Sequence, residues 1–317
     1  MTRRSPVVMS VVVSVVVSML VAIGNSARPH PLAEAPHCKV FPSDNHWNLR
    51  VDGLPVHDNS DALVRSIGLD EGLHPDFGSG TYQGARIGIP YVSVPRDQKK
   101  VPVRFGYSDE SDPGPYPIPP DAPIEGGRDS DGDRHVIVVQ RGTCKLYELF
   151  DAHPVDGGQR WRAGSGAVWD LDTNALRPKG WTSADAAGLP ILPGLVRFHD
   201  VKHGAIKHAL RFTVSRTRRE YIYPARHFAS TSNDRDLPAM GQRLRLKRSF
   251  DVSGFPAQVR VILKALKVYG MIVADNGSDW YLTGAPHKKW NNDVLHRLGE
   301  IEGRNFEVVD TSRLPRP

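Results

Sequence analysis

Short segments in which apolar and polar residues alternate are the feature that most restricts how this chain can fold. In the segment 205–214 (AIKHALRFTV), alternate positions fall on one face of an extended strand: Ile206, His208, Leu210, Phe212 and Val214. The opposite face, which carries Lys207 and Arg211, is expected to be wet or to line a cleft. Strands with one buried face are typical of antiparallel sheets.

Similar strand signals recur along the chain, at 101–107, 135–140, 144–150, 204–215, 220–223, 242–247, 270–274 and 305–309. The 29 Gly and 26 Pro residues are scattered rather than clustered, as expected for many turns between short strands. The sequence therefore predicts a mainly β fold, an antiparallel, jelly-roll-like β-sandwich with one or two short helices packed on it.

One helix is predicted over 255–270, where Pro256 occupies a permitted first-turn position and Gly270 stops the helix. A second, short helix is expected near 292–298. There is no internal repeat and no obvious linker after residue 101. We therefore expect one domain, in which residues 28–100 form a Pro-rich arm and the start of the domain, and residues 101–317 form its β-rich core.

The N-terminus has the layout of a secretion signal. Arg3 and Arg4 precede a run without charges, Val7–Gly24. We predict a signal peptide over 1–24, with cleavage after residue 24 or as late as 35, and a secreted or periplasmic protein. An uncleaved membrane anchor is the alternative, because the run is close to the shortest membrane-spanning length.

The chain has two cysteines, Cys38 and Cys144. In an oxidising compartment they are expected to form one disulfide, although two unpaired buried thiols would also fit the sequence. Their spacing matches no zinc motif.

The formal net charge of +6 falls to about +4 when Arg3 and Arg4 are removed with the signal peptide. A mildly basic domain suits an anionic glycan, an anionic cell surface or nucleic acid. The chain lacks the GxSxG, HExxH, Walker and dinucleotide-binding motifs. This excludes the enzyme classes that those motifs define, and no cofactor is required.

Two candidate catalytic residues lie on one predicted hairpin. Glu148 shares a strand face with Leu146 and Phe150, so that burial would raise its pKa towards that of a general acid. His135 opens the preceding strand, and pairing across the turn would bring it near Glu148 or Phe150. Exposure of Glu148 by strand twist, a buried ion pair with an arginine and a purely structural histidine are the alternatives.

Asp185 and His208 complete the predicted catalytic set. Asp185 lies within a loop rich in small residues, 181–195, where it could act as an acid or base or could cap a short turn. His208 lies on the apolar face of its strand, where it could be a base at the floor of a cleft or a hydrogen-bonded core residue.

The predicted substrate-binding residues are Arg211, Trp181, Asp275, Asn276 and Trp280. Arg211 belongs to a group of basic residues that could bind the acidic groups of a polymer or simply face solvent. Asp275 and Asn276 follow a strand, either as site residues or as an Asn-Gly turn. The tryptophans could stack on sugar rings or pack in the core.

Asp129, Asp131 and Asp133 surround a glycine turn, as the oxygen ligands of a calcium loop do. The twelfth position from Asp129 is Gln140 rather than Glu, so the EF-hand pattern fails. A structural calcium ion is one interpretation, and a solvated acidic turn is the other.

These residues favour an exported enzyme that cleaves polysaccharides, either a glycoside hydrolase or a lyase, with a carboxylate and histidine cleft. The alternatives are an extracellular protein that binds glycans or cell surfaces without catalysis, and an extracellular nucleic-acid binder. The expected partner is a polysaccharide or cell-surface glycan, and contact with a membrane is expected only if the N-terminal segment stays uncleaved.

Overall fold

The computed structural model describes residues 31–316. The predicted signal peptide, residues 1–24, lies outside the described residues. Within them, the α-helices are α1 (Ser60–Ile67), α2 (Phe198–Lys202), α3 (Ala257–Val268) and α4 (Asn292–His296). The strands are β1 (His74–Asp76), β2 (Thr81–Tyr82), β3 (Ala85–Arg86), β4 (Tyr91–Val94), β5 (Val103–Phe105), β6 (Val136–Gln140), β7 (Lys145–Phe150), β8 (His153–Val155), β9 (Arg160–Ala163), β10 (Ser165–Asp170), β11 (Leu210–Val214), β12 (Arg243–Leu246), β13 (Met271–Asn276), β14 (Tyr281–Thr283) and β15 (Phe306–Val308).

Both predicted helices are confirmed. In α3, Val259, Ile262 and Leu266 lie on the buried side of the helix. Gly270 follows with a φ of +68°, and a Cβ atom there would lie 2.2 Å from the carbonyl oxygen of Leu244. This close approach in a left-handed conformation is why a glycine ends the segment. The helix α1, within the predicted arm, was not predicted.

The strands form two larger sheets. The six-stranded sheet has the order β1-β14-β11-β13-β12-β15, and the four-stranded sheet has the order β10-β7-β6-β4. A three-stranded sheet, β5-β9-β8, and the hairpin β2-β3 complete the set in the described residues. The mainly β class is therefore confirmed.

The expected purely antiparallel pairing is wrong for four strand pairs. The pairs β1–β14, β11–β13, β4–β6 and β5–β9 are parallel. Parallel neighbours need a long crossover. Between β11 and β13 that crossover contains β12 and α3.

The four-stranded sheet is covered on both faces. On one face, Ile137 and Leu146 pack in a core shared with Phe212 of the six-stranded sheet. On the other face, Val138 and Leu149 belong to a second core, which also holds Trp161 of the three-stranded sheet. Buried carboxylates on this sheet are consequently far from bulk water unless a cleft reaches them.

The predicted disulfide is confirmed. Cys38 and Cys144 are bonded across a sequence separation of 106 residues, which joins the start of the described chain to the residue before β7. Disulfides of this kind are typical of oxidising compartments. In residues 31–316, no helix combines the length and the apolar character needed to cross a bilayer.

One predicted strand is absent. The segment 220–223 pairs through a single bridge, between Tyr221 and Met240, and is not a strand.

Candidate functional site

The loop 181–195 joins residues of both larger sheets and gathers most of the predicted site. Its residue Asp185 binds Arg211 on β11, and its backbone at Ile191 and Leu192 binds Glu148 on β7. The carbonyl oxygen of Ala184 contacts His135 at the start of β6. Three of the four predicted catalytic side chains therefore converge on one loop.

Asp185 and Arg211 form a buried, two-pronged ion pair. Nε and Nη2 of Arg211 each lie 2.8 Å from a different oxygen of Asp185, and Nη1 donates to Thr283 at 2.7 Å. Burial by itself lowers the pKa of Arg211, but the charge of Asp185 outweighs it and keeps the guanidinium protonated. The face of β11 that carries Arg211 was expected to be wet or to line a cleft, but this loop covers Arg211 and leaves its side chain 4% exposed.

Asp275, on β13, is the second carboxylate at this guanidinium. Its Oδ2 lies 3.5 Å from Nη2 of Arg211, the same nitrogen that binds Asp185. The side chain is 20% exposed. Burial and the neighbouring charge of Asp185 raise the pKa of Asp275 well above its usual range. Each of two neighbouring carboxylates disfavours the ionisation of the other, so Asp275, which Arg211 holds less tightly, takes up a proton more readily than a free carboxyl group.

Asp275 and Asp185 line a cleft of about 370 Å³, which we call the central cleft. Its other polar lining includes Glu110, Asp133, His227 and Asn276. The exposed ring of Tyr107 also lines it. The opening therefore brings solvent to Asp275, whereas the Asp185 side chain stays buried, and it offers polar groups and an aromatic face to a ligand.

Glu148 is fully buried and bonds to backbone. Its Oε1 accepts the N–H of Ile191 at 3.0 Å and that of Leu192 at 2.9 Å. Burial raises the pKa of Glu148 to about 7, although these two N–H groups oppose the shift. The structure thus has the raised pKa that the strand pattern predicts, but it places the carboxyl behind the loop rather than at a cleft surface.

His135 is a buried imidazolium held by two acceptors. Its Nδ1 lies 2.5 Å from Oε2 of Glu125, and its Nε2 lies 2.9 Å from the carbonyl oxygen of Ala184. Both ring nitrogens must carry a proton to satisfy these acceptors. Burial alone lowers the pKa of His135, but the Glu125 carboxylate raises it to about 9.

His208 lies elsewhere. Its Nδ1 donates to the carbonyl oxygen of Ala209 at 2.8 Å, and its Nε2 accepts from Nη2 of Arg197 at 3.2 Å. Burial lowers the pKa of His208, which fits this neutral tautomer. His208 therefore does not join the other predicted catalytic residues.

The two predicted tryptophan platforms differ. Trp280 has no exposed surface and stacks between Phe212 and Phe306, so that it presents no face to a sugar. Trp181 is partly exposed, and the Arg177 guanidinium lies 5.4 Å from its ring centroid. Asn276 lines the central cleft, and its Oδ1 accepts from Thr217 at 3.2 Å.

A second opening, the large cleft, has a volume of about 890 Å³. Its lining includes Asp76, Tyr82, Arg86 and Glu125. Burial and the charge of Glu125 raise the pKa of Asp76. The loop 125–133 contributes to both clefts, since Glu125 lines the large one and Asp133 the central one.

Asp129 and Asp131 line the large cleft, whereas Asp133 lines the central cleft. In the described part of the chain, no three potential metal-binding side chains group together. The calcium site remains a prediction.

Three residues of this region were missed from the sequence: Asp76, Glu125 and His227. Asp76 and Glu125 lie in the proline-containing segments LHPD and IPPDAPIE, and neither segment matches a known catalytic motif. His227 lies in PARHF, next to a strand that the structure does not form. Only the folded chain brings His227 to the central cleft and brings Asp76 and Glu125 within the electrostatic influence of Arg211.

Comparisons with protein-family models, with curated proteins and with solved structures find no match to this chain. The site must therefore be interpreted from its own geometry.

Proposed function

We propose that this protein is an exported enzyme that cleaves polysaccharides, with Asp275 as the general acid in the central cleft. The observation that carries the proposal is the sharing of Arg211 by two carboxylates, of which Asp275 is the more exposed. The two-pronged contact pairs Asp185 with Arg211, and burial together with the charge of Asp185 raises the pKa of Asp275, which favours its protonated form. A partly exposed, protonated carboxyl is what glycosidic bond cleavage needs to protonate the leaving oxygen.

The partner base is His227 in this proposal. Its Nδ1 lies 2.8 Å from the carbonyl oxygen of Ala186, so the N–H points there and Nε2 holds the lone pair of the neutral ring. In a hydrolase Nε2 would take a proton from water, and in a lyase it would take a proton from the sugar. Glu148 and His135 become positioning residues, because both bind the loop that carries Asp185.

Aromatic exposure supports a sugar ligand. Within residues 31–316, the large aromatic side chains that stand out at the surface are Tyr82 and Tyr107, 70% and 57% exposed. Each lines one of the two clefts. Exposed tyrosines at cleft mouths suit sugar rings, which pack on an aromatic face and bond to a hydroxyl. A jelly-roll-like sandwich, an architecture that suits such clefts, is part of the same proposal.

The test measures reducing-end and unsaturated-product release from a panel of neutral and acidic polysaccharides. Wild type, Asp275→Asn and the surface control Asp58→Asn are compared after circular dichroism has matched their folding. We expect the Asp275 variant to lose activity by about 100-fold or more, since general acid catalysis contributes that much. The control should keep the wild-type rate.

Full activity in Asp275→Asn would overturn the assignment of the acid. If none of the three proteins releases product but all are retained on a glycan column, the result would favour the non-catalytic glycan binder instead.

A further inference from the structure

A third opening, the basic pocket, has a volume of about 320 Å³ and lies beside α2. Its cationic lining consists of Arg86, Arg197, Lys202 and Lys289. His199 and His287 also line it, and burial together with the charge of Lys289 lowers the pKa of His287. Glu34 is the carboxylate in this lining, and it already accepts a hydrogen bond from Tyr91 at 3.0 Å. The positive charges exceed the negative ones, so the pocket attracts anions.

Arg197 adds a second, independent observation. Its Nε donates to Asp200 at 2.8 Å and its Nη2 donates to His208 at 3.2 Å. Its Nη1 is buried and has no hydrogen-bond partner among residues 31–316. A buried donor without an acceptor destabilises the fold, and an anion drawn into the pocket would supply the missing acceptor.

The basic pocket adjoins the large cleft. Arg86, on the β2–β3 hairpin, lines both openings, and Tyr82 of the same hairpin lines the large cleft. A chain of sugars stacked on Tyr82 would therefore pass Arg86. A charged substituent further along the same chain would then lie near Lys202 and Lys289.

We propose that the basic pocket binds an anionic substituent, a carboxylate or a sulfate, of an acidic polysaccharide that extends along the large cleft. Anion binding rests on the pocket alone, whereas the role of the polysaccharide as substrate rests on the proposed function. Lys202, Lys289 and Arg86 are exposed, so the pocket is reachable and its variants should fold.

The test uses isothermal titration calorimetry with four probes: an oligogalacturonate, a heparin-derived oligosaccharide, a neutral cello-oligosaccharide and a single-stranded DNA. The pocket variant is Lys202→Glu with Lys289→Glu, and the matched control is Lys99→Glu with Lys179→Glu, two exposed lysines outside the three openings. We expect the pocket variant to bind the anionic probe at least 10-fold more weakly, with binding by the control unchanged. Binding of one anionic probe only would assign the carboxylate or the sulfate.

Equal weakening in both double variants would overturn the proposal, because diffuse surface charge would then explain binding. Absence of binding by both anionic probes would also overturn it, as would tighter binding of a single-stranded DNA through the same lysines. Product release is measured in parallel. If anion binding depends on the pocket but no polymer is cleaved, the proposed anion site is supported and the proposed enzymatic function is refuted.

Discussion

Glu148→Gln should change how stability depends on pH, because Glu148 is a fully buried carboxyl with a pKa of about 7. Glutamine keeps a carbonyl oxygen that can accept the N–H groups of Ile191 and Leu192, as Oε1 of Glu148 does. It removes the ionisation, and it replaces Oε2, which also accepts the N–H of Ile191 at 3.0 Å, by an NH2 group. The charge of Glu148 is therefore reported by the pH dependence of stability, because the changed contact contributes equally at every pH.

The magnitude follows from proton linkage. A carboxyl with a raised pKa in the folded state stabilises the fold fully below its ordinary pKa of 4.5, and this stability is lost as the pH rises through about 7. Each pH unit between these values changes the free energy of unfolding by about 1.4 kcal/mol. Wild type should thus lose about 3 kcal/mol relative to Glu148→Gln between pH 4.5 and pH 8.

Urea unfolding followed by tryptophan fluorescence at several pH values measures this difference, with the exposed Glu71→Gln as the control. A constant offset between wild type and Glu148→Gln would reflect altered hydrogen bonding and does not affect the test. Parallel pH profiles for the two proteins would refute the reasoning, because Glu148 would then ionise normally in the fold.

Three further perturbations test the rest of the structure. Replacing Cys38 and Cys144 by serine should lower the free energy of unfolding by about 4 kcal/mol in urea titrations, since the bond closes a loop of about a hundred residues; an unchanged value would contradict a stabilising disulfide. Arg211→Met should lower it by about 3–5 kcal/mol by leaving Asp185 charged and buried, and adding Asp185→Asn should restore part of that loss in a double-mutant cycle. Additive effects would argue against the ion pair. Gly270→Ala should lower the midpoint of thermal unfolding and reduce the free energy of unfolding by about 2 kcal/mol or more. Alanine is strained at a φ of +68°, and its Cβ would meet the backbone at Leu244.

The convergence of charges has a physical consequence for the whole site. Arg211 influences the pKa of Asp76, Glu125 and Asp275, and His135 influences those of Glu125 and Glu148. The carboxylates outnumber these two cations, and burial raises the pKa of Asp76, Asp275 and Glu148. A perturbation at one group should therefore shift the titration of the others, and pH profiles of activity report the set rather than one residue.

Local patterns in the sequence were enough to predict the main elements. Strand signals located β5, β6, β7, β11, β12, β13 and β15, the apolar stripe and its stop at Gly270 located α3, and the two cysteines allowed the disulfide. The hairpin of β6 and β7 also follows from its turn, which is why His135 was expected near Glu148 or Phe150, and the structure places its ring near that of Phe150. Their ring centroids are 6.1 Å apart.

What the tertiary structure decided is what covers each strand face. The sequence by itself determined that Arg211 and Glu148 lie on particular faces of their strands, because side-chain direction follows the two-residue period of an extended backbone. Only the folding of loop 181–195 buried Arg211 against Asp185 and gave the Glu148 carboxyl two backbone donors. Tertiary packing also separated His208 from the site and brought Asp275 to the same guanidinium as Asp185. Contacts of this kind join residues tens of positions apart, so they depend on how the sheets pack.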